Sequence, residues 1–400
     1  MTKPFLYLIL VYGVLLSASH IVRQMAPEEG PLSANTLRQS VPETLNGAET
    51  GRTIQIAYQD WNEAGQGAPV LVLLHGSPGD ANTFSAMAPS LQEHYRLIIP
   101  DLPGFRGSTH SIADYSTAAH AHAVIALLDS IGVQRAHLVG YSMGGGVALD
   151  MIGDAPGRWE SLVFLSSIGV QELELLGDYT LNHAVHGLQL AALWIVQEGV
   201  PHFGKMDDAW INVAYARNFF DTDQRPFRAI LERLQLPMLI LHGTEDRLVP
   251  CNAALEHHRL VPQSELVAIE GEGHMMVFAD PGKLIAPMTA FLEKVNNGKV
   301  TVRADADPSR VAVAAEPYQS HQPPRRSAGS LTFLMILLAL ATFVTEDFTC
   351  ISAGLLVARG GMDFWAASLA CFVGIFVGDL LLYFAGRWLG RPALSRAPLK

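Results

Sequence analysis

The stretch Leu138–Ile152, LVGYSMGGGVALDMI, joins a short apolar run to a helix-like segment. Within it, Gly140 and Gly144 stand two residues on either side of Ser142. This Gly-x-Ser-x-Gly spacing at a strand-to-helix turn is typical of a nucleophile elbow, in which the glycines let the chain bend sharply and leave the hydroxyl accessible. The N-terminus of the following helix favours negative charge at the same place. The pattern therefore predicts Ser142 as a nucleophile and the two glycines as its structural support.

A glycine-rich loop lies upstream in the stretch VLVLLHGSPGD, where a predicted strand ends and His75, Gly76 and Ser77 follow. In an elbow-type site this loop supplies half of an oxyanion hole, and the residue after the nucleophile supplies the other half. We therefore expect the backbone N–H groups of Ser77 and Met143 to converge on a developing oxyanion, where each such donor lowers the barrier by about 3 kcal/mol. His75 and Gly76 belong to the same motif, and the simplest interpretation of His75 is a structural histidine that bonds its own loop.

Two downstream segments each place a titratable side chain shortly after a predicted strand. The stretch LILHGTEDRLVP carries Asp246, and the stretch VAIEGEGHMMVFADP carries His274. With Ser142 they occur in the chain order Ser, Asp, His, the order in which a nucleophile, an orienting acid and a general base follow one another behind an elbow of this kind. Glu245 is the alternative acid, but Asp246 is favoured by its position in the motif.

The segment around these motifs, residues 52–296, alternates short apolar runs with helix-like stretches, as βα units around a mostly parallel sheet do. The predicted strands are rich in Val, Ile and Leu on both faces: Thr53–Tyr58, Val70–Leu74, Arg96–Ile99, Ala136–Val139, Leu162–Leu165, Met238–Leu241 and Leu266–Ile269. Between about residues 169 and 234 the alternation stops, and a helical cap is predicted. The aromatic residues of this cap are Trp194, Trp210, Tyr215, Phe219 and Phe220.

Taken together, the motifs HGSPG, DLPGFRGS, GYSMGG, HGTEDRLVP and GEGHMMVFADP resemble the α/β-hydrolase family over about residues 50–296. The resemblance implies an α/β fold with a mostly parallel eight-stranded sheet, a helical cap, the catalytic residues Ser142, Asp246 and His274, and no cofactor. Relatives with epoxide or haloalkane chemistry carry aspartate at the position of Ser142, so a serine there favours an acyl intermediate. Cleavage of a carbon–carbon bond stays open as an alternative to ester hydrolysis.

The charge balance bears on partners. Residues 1–300 hold 18 Lys and Arg against 31 Asp and Glu, a net charge of −13. An acidic surface repels phosphate backbones, so no nucleic-acid partner is expected. The expected partners are a small acyl substrate and membrane lipid. If the cap determines substrate specificity, its apolar residues favour an apolar acyl group. No metal site is predicted.

Both ends of the chain are strongly apolar, which predicts an integral membrane protein. Residues 1–25 fit a signal peptide or a signal anchor, with the anchor favoured, and residues 26–51 are polar enough for a tether. Lys3 on the cytoplasmic side would put the hydrolase outside, the slightly favoured topology, whereas Arg325 and Arg326 argue for the opposite side. Residues 297–330 are predicted to form a flexible linker.

The tail, residues 331–400, contains two apolar runs, Leu331–Val344 and Phe364–Phe384. It resembles the N-terminal part of the DedA family, also called SNARE-associated or VTT-domain proteins, at Glu346, Gly354, Gly360, Gly378, Asp379, Tyr383, Gly386, Arg387 and Gly390. Intramembrane charges are costly, so Glu346, Asp379 and Arg387 are candidate functional residues. The leading hypothesis is thus a membrane-associated serine hydrolase. The alternative is a DedA-like transporter or lipid-handling protein with the hydrolase domain as an accessory.

Overall fold

The computed structural model describes residues 3–27, 30–32, 35–61, 67–174, 177–206, 213–318, 328–343, 345–358 and 361–394. The chain divides into two compact units, residues 1–316 and residues 317–400. Two residues singled out from the sequence, Trp210 of the cap and Gly360 of the tail, lie outside the described residues.

An eight-stranded sheet organises the first unit. Its strands are β1 Thr36–Leu45, β2 Ala48–Trp61, β3 Val70–Leu74, β4 Arg96–Pro100, β5 Ala136–Tyr141, β6 Trp159–Leu165, β7 Met238–Gly243 and β8 Glu265–Ile269. Their order across the sheet is β1-β2-β4-β3-β5-β6-β7-β8. The pairings that involve β2 are antiparallel, and all the others are parallel. The expected mostly parallel sheet of eight strands is confirmed.

Apolar side chains of the central strands alternate between the two faces of the sheet. Val72, Leu138 and Phe164 belong to the core on one face, whereas Leu73 and Val139 belong to the core on the other. Both faces are therefore covered, which explains why these strands read as continuous apolar runs rather than as alternating patterns.

The helices of the first unit are α1 Lys3–Gln24, α2 Ala88–Leu91, α3 Thr117–Ser130, α4 Met143–Asp154, α5 Tyr179–Gly199, α6 Val213–Asp221, α7 Arg225–Arg233, α8 Cys251–Leu260, α9 Met276–Ala279, α10 Gly282–Asn296 and α11 Pro308–Ala314. Helices α5, α6 and α7 lie between β6 and β7 and form the predicted cap segment. Stacked rings of His183 and Phe220, with centroids 4.1 Å apart, pack α5 against α6.

The prediction of a tether over residues 26–51 is corrected by β1 and the start of β2. These two strands form an antiparallel hairpin whose register pairs Val41 with Ile54. Val41 and Glu43 are buried, and half of the ten residues of β1 are exposed, because the strand lies at the sheet edge. An edge strand with one buried apolar side chain and a proline, Pro42, carries too little apolar pattern to stand out in a sequence.

The predicted linker over residues 297–330 also needs correction, because its first part folds onto the first unit. Helix α11 packs against α8, and the Arg310 guanidinium donates hydrogen bonds to the carbonyls of His258, Val261 (3.4 Å) and Ser264 (3.1 Å). Arg259 donates in return to the carbonyls of Val313 and Glu316, both at 2.9 Å. Of the predicted linker, residues 319–327 lie outside the described residues.

The second unit contains three helices among its described residues: α12 Ala328–Ala341, α13 Glu346–Ala358 and α14 Phe364–Leu394. In the described part of the whole chain, two helical segments are long and apolar enough to cross a membrane, Pro4–Gln24 in α1 and Phe364–Phe384 in α14. The apolar helix Leu331–Ala341 is shorter.

Candidate active site

Ser142 stands at the turn between β5 and α4 with a left-handed backbone, φ 53° and ψ −120°. This conformation is unfavourable for a residue other than glycine, so contacts with the surrounding structure must stabilise it. Two flanking glycines make room: a Cβ on Gly140 would lie 2.5 Å from the Cα of Gly145, and one on Gly144 would lie 2.2 Å from the carbonyl oxygen of Leu74. Ser142 therefore lies on a sharp strand-to-helix turn with a glycine required on each side of it.

Three side chains that are far apart in the sequence meet at this elbow. The Nε2 atom of His274 lies 3.0 Å from the Oγ atom of Ser142, and its Nδ1 atom lies 2.8 Å from Oδ2 of Asp246. Ser142, Asp246 and His274 follow the C-terminal ends of the parallel strands β5, β7 and β8, which lie at the same edge of the sheet. All three are buried; Ser142 and His274 are each 9% exposed.

Asp246 is held on both carboxylate oxygens. Its Oδ1 atom accepts hydrogen bonds from the backbone N–H groups of Leu248 and Val249, both at 2.9 Å. Burial alone would raise the pKa of Asp246, but the hydrogen bond with His274 and the Val249 N–H outweigh it and lower the pKa below its usual range. The carboxylate is therefore ionised and aimed at His274. Glu245, the alternative acid, forms no described side-chain contact with His274.

Sequence reasoning missed two residues that support this arrangement. His242 lies 3.4 Å from Asp246 through its Nε2 atom, which also contacts the carbonyl of Val249 at 2.9 Å. The Tyr141 hydroxyl donates to the backbone carbonyl of His274 at 3.2 Å. His242 lies in the motif HGTEDRLVP and Tyr141 lies in the motif GYSMGG, and this position is the only signal that the sequence offers for them.

The predicted oxyanion donors are the backbone N–H groups of Ser77 and Met143. Among the described residues, neither the Ser77 N–H nor the Met143 N–H donates a hydrogen bond within the chain. Gly76 closes this corner: a Cβ there would lie 2.8 Å from the Cβ of Ser142, so only glycine allows the loop to approach the serine so closely. The Ser77 hydroxyl donates at 2.7 Å to Oδ1 of Asn218, a buried residue of cap helix α6 that sequence reasoning also missed.

His75 is fully buried and joins two loops. Its Nε2 atom accepts from the Leu102 N–H at 2.9 Å, so the proton resides on Nδ1, which donates to the Gly76 carbonyl at 2.7 Å. Burial lowers the pKa of His75, which keeps the ring neutral for this pair of bonds. The structure thus matches the interpretation of His75 as a structural histidine.

The three membrane candidates are not brought together. Glu346 lies in the first turn of α13, Asp379 is exposed in the middle of α14, and Arg387 contacts the hydroxyl of Tyr383 at 3.5 Å. No described ion pair joins any of the three. The residues with described positions also contain no cluster of three or more His, Cys, Asp or Glu arranged to hold a metal ion.

Comparisons with known proteins support the α/β-hydrolase fold. A protein-family model described as alpha/beta hydrolase fold matches residues 69–193. The dihydrolipoyllysine-residue acetyltransferase component of the acetoin cleaving system of Pseudomonas putida is 31% identical over 252 residues, which cover 58% of this chain and 66% of that protein. The 2-hydroxy-6-oxononadienedioate/2-hydroxy-6-oxononatrienedioate hydrolase of a Pseudomonas species is 27% identical over 259 residues, 58% of this chain and 91% of the relative.

Among solved structures, a membrane phospholipase A described as a bacterial virulence factor is similar with a TM-score of 0.51 and 26% identity. The match covers 74% of this chain and all of that one. The family model ends before the tail, so the DedA resemblance there stays a prediction.

Proposed function

Because the chain contains an α/β-hydrolase domain, we propose that it is a serine hydrolase that cleaves a carboxylic ester through an acyl intermediate on Ser142. The observation that carries the proposal is the continuous hydrogen-bonded path from Asp246 through His274 to the Ser142 hydroxyl, with distances of 2.8 and 3.0 Å. This is the arrangement in which an imidazole can take the proton of a serine while a carboxylate holds its tautomer.

The reaction has two halves. In the first, His274 takes the Ser142 proton, Oγ attacks the ester carbonyl carbon, and the tetrahedral intermediate expels the alcohol, which leaves with the proton from His274. In the second, His274 takes a proton from water, the resulting hydroxide attacks the acyl carbon, and the carboxylic acid leaves as Ser142 regains its proton. Asp246 stays ionised throughout and stabilises the imidazolium, a role that its lowered pKa favours.

In both tetrahedral intermediates, the backbone N–H groups of Ser77 and Met143 donate hydrogen bonds to the negatively charged oxygen. Each is a backbone donor without a partner inside the described chain. Donors fixed before the reaction need no reorganisation when charge develops, which is why each lowers the barrier by about 3 kcal/mol. Met143 also begins α4, whose N-terminal dipole acts in the same direction.

The proposed substrate is an acyl lipid or another ester with an apolar acyl group. Support comes from the resemblance to a membrane phospholipase A and from α1, which is long and apolar enough to anchor the chain in a bilayer. The hydrolase domain would then work at the membrane, with the extracytoplasmic side slightly favoured by Lys3.

The test is hydrolysis of a series of esters graded by acyl length, using the full chain in detergent. Ser142→Ala is expected to abolish turnover, while Ser85→Ala, a change at an exposed serine outside the site, leaves it unaltered. Turnover that survives Ser142→Ala would refute the acyl-serine mechanism.

A second candidate function rests on Asp379, an acidic residue in the middle of an apolar segment long enough to span a membrane. Intramembrane acids often serve proton-coupled transport or lipid handling. This DedA-like function predicts that Asp379→Asn or Glu346→Gln abolishes the cellular activity of the protein and that Ser142→Ala does not. The opposite pattern would eliminate it.

A further inference from the structure

The cap is joined to the apolar N-terminal helix at a defined place. The Oγ atom of Ser19, a buried residue of α1, accepts hydrogen bonds from the backbone N–H groups of His202 (3.0 Å) and Phe203 (2.8 Å), which follow cap helix α5. Two short hydrogen bonds to a buried hydroxyl fix the turn after α5 against the polar end of α1. The junction is therefore built into the first unit.

Side chains of α1 also complete the C-terminus of α5. The last carbonyls of a helix lack partners within the helix and carry partial negative charge. Here the Gln197 carbonyl accepts from Arg23 at 3.3 Å, the Glu198 carbonyl contacts His20 at 3.1 Å, and the Gly199 carbonyl accepts from the hydroxyl of Tyr12.

An ion pair strengthens the same junction. The Glu198 carboxylate lies 3.1 Å from the Arg23 guanidinium and 3.3 Å from the His20 ring. His20 and Arg23 lie in the last two turns of α1, and Glu198 of α5 contacts them there. This end is thus the polar end of the helix, where a membrane–water boundary would fall.

The contact with Tyr12 comes from the apolar part of α1. A helix rises 1.5 Å per residue, so Tyr12 lies about 10 Å along α1 from Ser19, on the apolar side. The side chains of Tyr12 and His20 reach the carbonyls of the consecutive residues Gly199 and Glu198, so α5 meets α1 at one place, the C-terminal end of α5. If α1 crosses a bilayer, this junction places the C-terminal end of α5 near the boundary where α1 leaves the bilayer.

The part of α5 that precedes this junction is apolar and exposed. The second half of α5 reads LQLAALWIV over residues 188–196 and carries no charge. Trp194 is 58% exposed and Ile195 is 62% exposed. The large exposed apolar side chains of this region, called the cap surface below, are Leu188, Trp194, Ile195, Val196, Val200 and Phe203.

We propose that the cap surface docks into the lipid bilayer beside α1, so that the anchor and the cap form one membrane-embedded face. The occupant is lipid because the cap surface is joined to α1 at Ser19, and the side chains of α1 from Phe5 to Leu15 are exposed around the helix. A tryptophan at the boundary is the side chain that membrane interfaces favour. The inference rests on the proposed membrane anchoring through α1 and is independent of catalysis.

Docking would place the cap next to the lipid bilayer, which contains the proposed acyl-lipid substrate. An acyl lipid would reach the cap from the bilayer without first crossing water. This deepens the proposed function, because it selects membrane lipids over soluble esters as the substrate class.

The experiment uses the full chain reconstituted in phosphatidylcholine vesicles, with or without bromine on the acyl chains near the headgroup. Subtracting the fluorescence of Trp194→Phe from that of the parent isolates the emission of Trp194. Docking predicts that brominated lipid quenches this difference emission and that aqueous iodide does not. Ile195→Glu should weaken the bromolipid quenching severalfold, whereas Leu255→Glu, a matched change at an exposed leucine of α8, should not.

Two outcomes would overturn the proposal. Difference emission that iodide quenches and bromolipid does not would place the cap surface in water. Difference emission that neither quencher reaches would mean that protein, from the second unit or a second copy, covers it. Turnover of a soluble short-chain ester is measured on the same samples, so an inactive enzyme and an undocked cap are separate results.

Discussion

The Ser77 hydroxyl donates a 2.7 Å hydrogen bond to the side-chain oxygen of Asn218, and this bond joins the loop of the proposed oxyanion hole to the cap. Asn218 is itself fixed, because its Nδ2 atom donates to the Tyr115 carbonyl at 2.8 Å and to Nε2 of His120 at 3.1 Å. The position of the Ser77 N–H therefore depends on a residue of the cap 141 positions away in the sequence.

Asn218→Ala is expected to lower kcat by roughly 10- to 100-fold with a smaller effect on KM. A displaced oxyanion donor stabilises the transition state less, whereas it changes substrate binding little. Steady-state kinetics of Asn218→Ala, Ser77→Ala and the double variant measure this. The two losses should not add, because both variants break the same bond. Additive losses of kcat in the double variant would contradict the assignment. A loss of kcat that is accompanied by a large loss of thermal stability would also contradict it, because the effect would then be structural. Asn297→Ala, at an exposed position, is the control.

Asp246→Asn should lower kcat by roughly 1,000- to 10,000-fold while the fold persists, because an amide no longer holds the His274 tautomer that accepts the serine proton. Glu245→Gln is the matched control, one residue along the same loop, and should leave kcat unchanged. Kinetics of both variants, with circular dichroism for folding, decide between the two acids. Equal losses in both variants would reject Asp246 as the orienting acid.

Asp150, on α4, predicts a pH effect on stability. Burial raises the pKa of Asp150 to about 7, and its Oδ2 atom has no partner among the described residues. The folded state therefore keeps a proton that the unfolded state releases near pH 4. The free energy of unfolding should fall as pH rises from about 4 to about 7 on account of this group, by at most about 4 kcal/mol.

Asp150→Asn removes this titration and keeps an acceptor for Thr117. We expect the variant to have a higher Tm than the parent at pH 8 and little difference at pH 4. Thermal unfolding at the two pH values measures the contrast. A variant that is destabilised equally at both would show that Asp150 is not a strained carboxylate.

Arg310→Ala should lower the free energy of unfolding of the first unit by roughly 1–3 kcal/mol, since its guanidinium satisfies carbonyls at and beyond the C-terminus of α8. Arg225→Ala breaks an exposed ion pair with Asp223 and should change stability little. Chemical denaturation of both variants provides the comparison. If Arg310→Ala changed the free energy of unfolding as little as Arg225→Ala does, residues 297–318 would be better described as a linker.

The parts of the fold and site that the sequence predicts are those with local signals. Buried parallel strands such as Val70–Leu74 read as unbroken apolar runs, and Ser142, Asp246 and His274 each sit in a short motif next to a strand. Strand β1 escaped prediction because it is a polar edge strand, and α11 escaped it because hydrogen bonds from Arg310 and Arg259 attach the segment to α8.

Asn218 and Ser19 represent a different kind of residue. Asn218 bonds Ser77, 141 residues away in the chain, and Ser19 bonds His202, 183 residues away. The sequence around neither residue indicates these partners, so only the folded chain reveals them.

The central claim, that Ser142 is an activated nucleophile, is tested most directly by treating the full chain with a fluorophosphonate probe and measuring intact mass. The account predicts a single adduct on the parent and none on Ser142→Ala at equal folding, because only a serine whose proton His274 can take at 3.0 Å attacks the probe. A folded parent that stays unlabelled, or a Ser142→Ala variant labelled to the same extent, would contradict it.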